Sequence, residues 1–273
     1  MRKSALLAAC LWAGWSASPA SAIFLYGMSN SGDIYKINQS TGTRDLFMTG
    51  TGVQWLDAAD GLTLTTFFAT GNNGLLYEID VQAQTVTAIG AYGGGAVVKV
   101  LAYAEPATPG GTGVLYGSDF QNMYTINVNT GAATLVGPIH GGDYFIGVWS
   151  MDYDPVADRL YITNQLFNSS KLYYVDPGTA LATLVAPVQN ATMINDLWYD
   201  HDTGKMLAME YGAAQLYEMN TTNAQLTMIG TPLIGSERCV DIMGLGTVAP
   251  DPASGLLFLA ASGLTGMIVR RRR

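Results

Sequence analysis

The sequence predicts an all-β chain: a single five-bladed β-propeller of four-stranded blades, closed by pairing its N- and C-terminal strands. Three observations predict it. A strand–turn–strand pattern recurs five times at a period near 45 residues. A further apolar strand follows each repeat, also five times. The series opens with three strands and ends with one, which is what a closed ring needs. Composition agrees. Apolar residues make up 49% of the 273, so disorder is excluded. Charged residues make up only 12%, beside 32 Gly and 15 Tyr, which excludes a long helix or coiled coil. The net charge of −8 argues against nucleic acid, whose binding surfaces are rich in Lys and Arg.

The first element is an address. Residues 1–22 read MRKSALLAACLWAGWSASPASA, with basic Arg2 and Lys3, an apolar stretch from Ala5 to Trp15, and Ala20-Ser21-Ala22 as a cleavage site. That is a secretory signal peptide. Leu7-Ala8-Ala9-Cys10 also resembles a lipobox with Cys10 lipidated, but the apolar stretch before it is short.

The body, residues 23–247, is the array. Its units start at Phe24, Phe67, Val114, Arg159 and Lys205. Each has an apolar-Tyr strand, a polar turn, a second strand ending in Ile-Asp or similar, and a Thr/Leu-rich strand. The second Tyr falls at Tyr35, Tyr77, Tyr124, Tyr173 and Tyr217, at intervals of 42, 47, 49 and 44 residues. Period-2 alternation, as in Leu76/Glu78/Asp80 against Tyr77/Ile79, marks strands rather than helices. Turns such as Asn129 to Gly131, Asn72 to Gly74 and Asp176 to Gly178 supply residues that accept positive φ. The repeated Tyr and Asp read as structural: the ring fills space with its hydroxyl at the rim, and Asp accepts turn N–H bonds.

The fourth strands are Gln54 to Asp60, Lys99 to Glu105, Trp149 to Pro155, Asn195 to His201 and Val240 to Gly246. The last would complete the blade begun at Phe24. This leaves no open seam at the chain ends. A six-bladed ring would instead need Ala253 to Ala261 as a partial blade. The repeat style, Leu-Tyr units with Tyr-x-Ile-Asp and Thr-Gly turns, resembles secreted bacterial propellers with NHL- and YVTN-like repeats. The resemblance implies architecture and leaves function open.

The C-terminus reads VAPDPASGLLFLAASGLTGMIVRRRR. Pro250, Asp251 and Pro252 precede an apolar run from Gly255 to Val269, then Arg270, Arg271, Arg272 and Arg273. Fifteen apolar residues are short for a membrane span. A final strand pair with a basic tail is the alternative. The segment 248–273 resembles the PEP-CTERM sorting signal, here with Asp251 at the middle position. That resemblance implies export from a Gram-negative bacterium, an exosortase-type membrane protease as partner, and transient inner-membrane association through an apolar helix. It also implies final placement at the cell surface or in an extracellular matrix, where exopolysaccharide is a candidate partner.

Ligands of propellers bind at the channel mouth, where the inner strands begin. One aligned column reads Trp55, Val100, Ser150, Asp196 and Asp241; its neighbour reads Gln54, Lys99, Trp149, Asn195 and Val240. The column Ala58, Tyr103, Tyr153, Tyr199 and Gly244 reads as core. Asp196 and Asp241 could meet near Lys99, Gln54 and Asn195, walled by Trp55 and Trp149. Aromatic faces with a few placed polar groups suit a sugar, or the carboxylates a cation. The plainer alternative is a polar lining to a water-filled channel. A glycan hydrolase using Asp57, Asp152, Asp196 and Asp241 is the enzymatic alternative, weakened by the absence of Glu from these columns.

No phosphate loop, Ser-His-Asp order or zinc spacing appears, so no cofactor and no metal is expected. Asp200-His201-Asp202-Thr203-Gly204 reads as a turn, and Cys239 as a small apolar residue distant in sequence from His140 and His201. The expected function is a non-catalytic binding or structural module. Six of the 13 bases lie in the two end segments with one acid, Asp251, leaving seven bases against 20 acids. The body at −13 is therefore more acidic than the whole chain, which favours neutral sugars or cations over anionic partners.

Overall fold

The computed structural model describes residues 24–29, 31–38, 43–60, 65–105, 113–145, 147–166, 169–191, 193–200, 203–210, 215–229 and 239–246. Residues 1–22, read as a leader, and 248–273, where an apolar helix was expected beside Pro250, Asp251, Pro252 and Arg270 to Arg273, lie outside the described residues. Among the described residues every regular element is a strand.

Twenty strands form five antiparallel four-stranded sheets. Blade 1 holds β4 (Trp55–Asp60), β5 (Thr66–Gly71), β6 (Leu75–Asp80) and β7 (Thr85–Ala91). Blade 2 holds β8 (Val100–Ala104), β9 (Val114–Ser118), β10 (Asn122–Ile126) and β11 (Ala133–Pro138). Blade 3 holds β12 (Val148–Asp154), β13 (Arg159–Leu166), β14 (Ser169–Asp176) and β15 (Leu181–Pro187). Blade 4 holds β16 (Ile194–Asp200), β17 (Lys205–Glu210), β18 (Leu216–Met219) and β19 (Leu226–Met228). Blade 5 joins β20 (Cys239–Gly246) to β1 (Phe24–Ser29), β2 (Ile34–Asn38) and β3 (Arg44–Met48). The ring therefore closes as expected, with Phe24 opposite Gly246 and Met28 opposite Asp241. Five blades are present, and the six-bladed arrangement is excluded.

Burial explains the order of strands within a blade. The inner strands β4, β8, β12, β16 and β20 pack against one another around the axis. β8 and β16 are consequently buried at every position. The outer strands β3, β7, β11, β15 and β19 are instead mostly exposed or half-buried. An apolar cluster lies at each junction between blades. Phe68, Leu101, Tyr103 and Leu115 join blades 1 and 2. Val100, Met151, Ile162 and Tyr173 join blades 2 and 3. Tyr161, Leu197, Tyr199 and Tyr217 join blades 3 and 4. Ile37, Trp198 and Leu207 join blades 4 and 5, and Tyr26, Trp55, Phe67 and Tyr77 join blades 5 and 1. Of the column read as core, Tyr103 and Tyr199 are buried and Tyr153 packs partly buried against the blade 2–3 cluster; Ala58 is buried too but belongs by register with Leu101, Met151 and Leu197, and the surroundings of Gly244 are not described.

Two repeated polar devices shape the ends. The repeated Tyr hydroxyl reaches a polar group at the rim in four blades. Asn73 donates to Tyr77 (2.7 Å), Tyr124 donates to Asp119 (2.7 Å), Tyr173 donates to Asp143, and Tyr217 donates to Glu210 (3.1 Å). In blade 5 the Tyr35 ring instead carries the Arg44 guanidinium at 4.5 Å. At the opposite ends, Asp80, Asn127, Asp176 and Asn220 each accept backbone N–H groups of the following turn. Those turns end in a residue with positive φ: Gln84 (54°), Gly131 (76°), Ala180 (58°) and Ala224 (55°). One expectation changes here. In the Asp176-Pro177-Gly178 turn the left-handed position is Ala180, because Asp176 holds the N–H groups of Gly178 and Thr179 in a longer loop.

The perimeter is also latched from blade to blade. The N–H of Ala133 bonds the carbonyl of Tyr92 at 2.8 Å, and that of Ala182 bonds the carbonyl of His140 at 2.6 Å. The segment leaving one outer strand thus pairs with the start of the next.

Gln84 is exposed and sits at φ 54°, a conformation costing a non-glycine residue about 1–2 kcal/mol. Gln84→Gly is expected to stabilise the fold by about 1 kcal/mol. Thermal unfolding should show the midpoint rising by ~2–4 °C for a body of this size.

Candidate binding site at the channel mouth

In an up-and-down blade, the inner strand begins at the same end as the hairpin joining the second and third strands. Gln54, Lys99, Trp149 and Asn195, at or just before the starts of inner strands, therefore gather at one mouth of the channel. Their surroundings differ. Gln54 is exposed and accepts a hydrogen bond from the Asn72 amide. Lys99 is half-buried, tied to blade 2 by its N–H on the Ser118 carbonyl at 2.7 Å. Asn195 is buried, while Trp149 is 38% exposed.

The column beneath this mouth needs correction. Tracing each sheet inward from its repeated Tyr gives Ala69 and Ala58 in blade 1, Gly117 and Leu101 in blade 2, Ile162 and Met151 in blade 3, and Ala208 and Leu197 in blade 4. The residues one step earlier are Asp57, Val100, Ser150 and Asp196, with Asp241 at the matching position of β20 by its register against Met28. Asp57, not Trp55, belongs in that row. Trp55 occupies the place of Val148 and Ile194, all three fully buried just before a register shift. It packs edge-on against Tyr77 with centroids 5.4 Å apart, so it does not wall the mouth.

The aspartates do not converge on an open site either. Asp57 reaches across to blade 2 and accepts the backbone N–H of Leu101. Asp152 reaches across to blade 4 and accepts that of Tyr199. Asp196 lies on the same face of β16 as Trp198, which packs on Ile37 of blade 5. All three are buried. Asp241 is placed by its backbone alone.

The ring nonetheless keeps these charges close. Burial, the Asp196 charge and then the Asp152 charge push the Asp57 carboxyl well above the usual carboxylate range, against the N–H bonds from Leu101 and Ala58. Among the described residues, no group of three or more His, Cys, Asp or Glu is arranged to hold a metal ion.

The group that sequence reasoning missed is Phe120. It sits at the tip of the β9–β10 hairpin with φ 83°, an outlier for a bulky aromatic residue. The conformation is held by two bonds: the Phe120 N–H on Ser118 Oγ at 3.2 Å and the Val148 N–H on the Phe120 carbonyl at 3.2 Å. It sets the ring against the indole of Trp149, centroids 4.8 Å apart and planes at 37°. Gly147 lies beside that indole because no side chain fits there. A Cβ would stand 2.8 Å from the Gln165 carbonyl oxygen and 2.9 Å from Trp149 Nε1. Tyr144, on the same approach to β12, is 74% exposed. The available signal was an aromatic residue in a three-residue hairpin, where it can pack only on a neighbouring blade.

Polar groups around the stack are already engaged. Asp119 accepts from Tyr124 and Asn122; these bonds outweigh its burial and hold it below the usual carboxylate range. Burial and Asp119 push the Tyr124 hydroxyl up to about 12. Asp143 is held low by the Tyr173 hydroxyl and by Lys171 Nζ at 3.1 Å. The mouth is thus an aromatic platform in a polar frame, with its carboxylates used structurally.

The Asp57 shift gives a signed prediction. Its folded-state pKa is raised, so its contribution to stability is present below the unfolded carboxylate range, about pH 4. That contribution is lost as pH rises through the folded value. Asp57→Asn keeps an acceptor for Leu101 and removes the charge. Its melting temperature should exceed wild type at neutral pH, with the gap closing toward about pH 4. A gap independent of pH would contradict this.

No protein-family model matches the sequence, and no curated protein matches it. Solved structures do. The chain is similar to one in the crystal structure of the nidogen/laminin complex, at 12% identity and a TM-score of 0.54, covering 77% of this chain and 79% of that one. It is also similar to a structural genomics protein of unknown function from Bacteroides thetaiotaomicron VPI-5482, at 16% identity and a TM-score of 0.57. That match covers 83% of this chain and 62% of the other, less than two thirds of its length. At such identities the likeness establishes the β-propeller fold alone.

Proposed function

We propose that the protein is an exported, non-catalytic binding module of the cell surface or extracellular matrix whose ligand is a neutral exopolysaccharide. The observation that carries this reading is the Trp149–Phe120 stack at the channel mouth, with Trp149 exposed, Phe120 half-buried and the pair held in place by a strained backbone. Aromatic faces recognise the C–H faces of sugar rings, and local strain is retained where surrounding structure over-determines it. The body charge of −13 disfavours anionic polymers. The leader and the Pro250-Asp251-Pro252 to Arg273 segment support export and recognition by an exosortase-type protease.

Affinity electrophoresis of the purified full chain in neutral polysaccharide gels tests the ligand. Trp149→Ala and Phe120→Ala are each expected to weaken binding roughly tenfold, which is about 1.4 kcal/mol. Retardation unchanged in both variants would overturn the assignment.

A hydrolase is the second reading, favoured by one observation: the raised Asp57 carboxyl near Asp196 is the kind of asymmetry an acid–base pair requires. Asp57 and Asp152 are tied across blade junctions, so we expect no release of reducing ends from the same polysaccharides. Turnover lost in Asp196→Asn would establish the enzyme instead. Sorting is tested separately: replacing Arg270 to Arg273 by Ala should leave unprocessed chain in the inner membrane on fractionation.

A further inference from the structure

Among the described side chains, every Tyr, Phe and Trp is buried or half-buried except two: Trp149, 38% exposed, and Tyr144, 74% exposed. The two lie five residues apart in one stretch of chain, where residues 139–147 join β11 to β12. That segment crosses the mouth face from the perimeter to the axis, over the junction of blades 2 and 3. Its outer end is latched where the His140 N–H bonds the Ala180 carbonyl at 3.1 Å. The β9–β10 hairpin holds it at both ends. The Ile139 N–H bonds the Gln121 carbonyl at 2.7 Å, and the Val148 N–H, just past the segment, bonds the Phe120 carbonyl at 3.2 Å.

The anchoring is densest around Tyr144. Before it, Asp143 accepts from the Tyr173 hydroxyl and from Lys171 Nζ at 3.1 Å. After it, the buried Phe145 ring packs on Tyr173 with centroids 5.0 Å apart. The Tyr144 carbonyl itself accepts from Asn164 Nδ2 at 3.1 Å. Asn164 is fully buried, and its Oδ1 has no hydrogen-bond partner among the described residues. An unmatched buried acceptor is a cost, and it is borne here where the other half of the same amide fixes the Tyr144 backbone. Three successive residues are thus pinned while the ring between them faces solvent. That is how a preorganised contact is built, since a ligand meeting the ring orders little backbone.

We propose that Tyr144 is a second stacking position, so that the mouth holds two places on one polysaccharide chain running from Trp149 outward along segment 139–147. This rests on the neutral-glycan reading above and narrows it to the interior of a polymer, in place of a chain end or a free sugar. Five residues span at most ~18 Å, so one short oligosaccharide reaches both rings. Gly147 puts no side chain beside the indole edge that faces the segment. The charged groups next to Tyr144, Asp143 and Lys171, are spent on each other, which suits a neutral chain. Two weak stacking contacts tethered by one polymer bind it more tightly than either alone.

Fragment length is the test. The full chain is run in gels of hydroxyethyl cellulose, dextran and galactomannan, and oligosaccharides cut from whichever polymer retards it are titrated by calorimetry. Wild-type affinity is expected to rise about tenfold with fragment length and then level off. Tyr144→Ala is expected to bind long fragments about tenfold more weakly, and the shortest binding fragment as the wild type does. Its melting temperature should be unchanged, because the ring is exposed. Tyr144→Phe keeps the ring and should keep the length dependence, whereas Trp149→Ala should weaken binding at every length. Long fragments that bind Tyr144→Ala and wild type alike, while Trp149→Ala weakens them, overturn the second position and leave the glycan reading standing. Equal weakening by Tyr144→Ala at every length also overturns it, by merging the ring with the Trp149 contact. A wild type that no gel retards brings down the glycan reading itself, and the second position with it.

Discussion

The inner edge of a propeller blade is a strand edge with no further strand beside it, and its backbone N–H groups still require acceptors. Two of them find one on a carboxylate from the preceding blade: Leu101 on Asp57, and Tyr199 on Asp152. These contacts tie blade 1 to blade 2 and blade 3 to blade 4 at the inner strands, beside the apolar clusters of the same junctions. They also gather buried negative charge around one channel. The raised Asp57 carboxyl is the electrostatic cost of that arrangement.

This use of the aspartates moves recognition outward. A carboxylate bonded across a blade junction is not free to grip a ligand in the channel. The exposed chemistry lies instead at the mouth, where the hairpin of blade 2 leans on the start of blade 3. Phe120 holds an unfavourable φ, and the bond from Val148 to its carbonyl couples that strain to the position of Trp149. The platform is therefore preorganised, and a sugar ring docking there would order little that is still free to move.

The perimeter follows a different logic. Latches between neighbouring outer strands stiffen the ring from outside, as the carboxylates do from inside. Beyond those latches the outer strands β7, β11, β15 and β19 carry no ionisable residue, while β3 carries Arg44 and Asp45. Mouth and rim are thus separate surfaces, and substitutions at one leave the other untouched.

The repeat spacing and strand alternation were enough to determine five blades, their strands and the ring closure, because each blade is a local unit with its own hydrophobic pattern. The turn carboxylates Asp80 and Asp176 were legible for the same reason: their partners are two or three residues away. The repeated Tyr positions were legible too, since one geometry recurs in each sheet. What lies between blades was not legible. Trp55 was placed at the mouth because its strand was aligned two residues out of register, and only hydrogen-bond pairing fixes that register. The partner of Asp57 is 44 residues away, and the Phe120–Trp149 stack spans two blades. Which side chains meet across a junction depends on how neighbouring sheets twist and pack, a property of the assembled ring that no single repeat encodes.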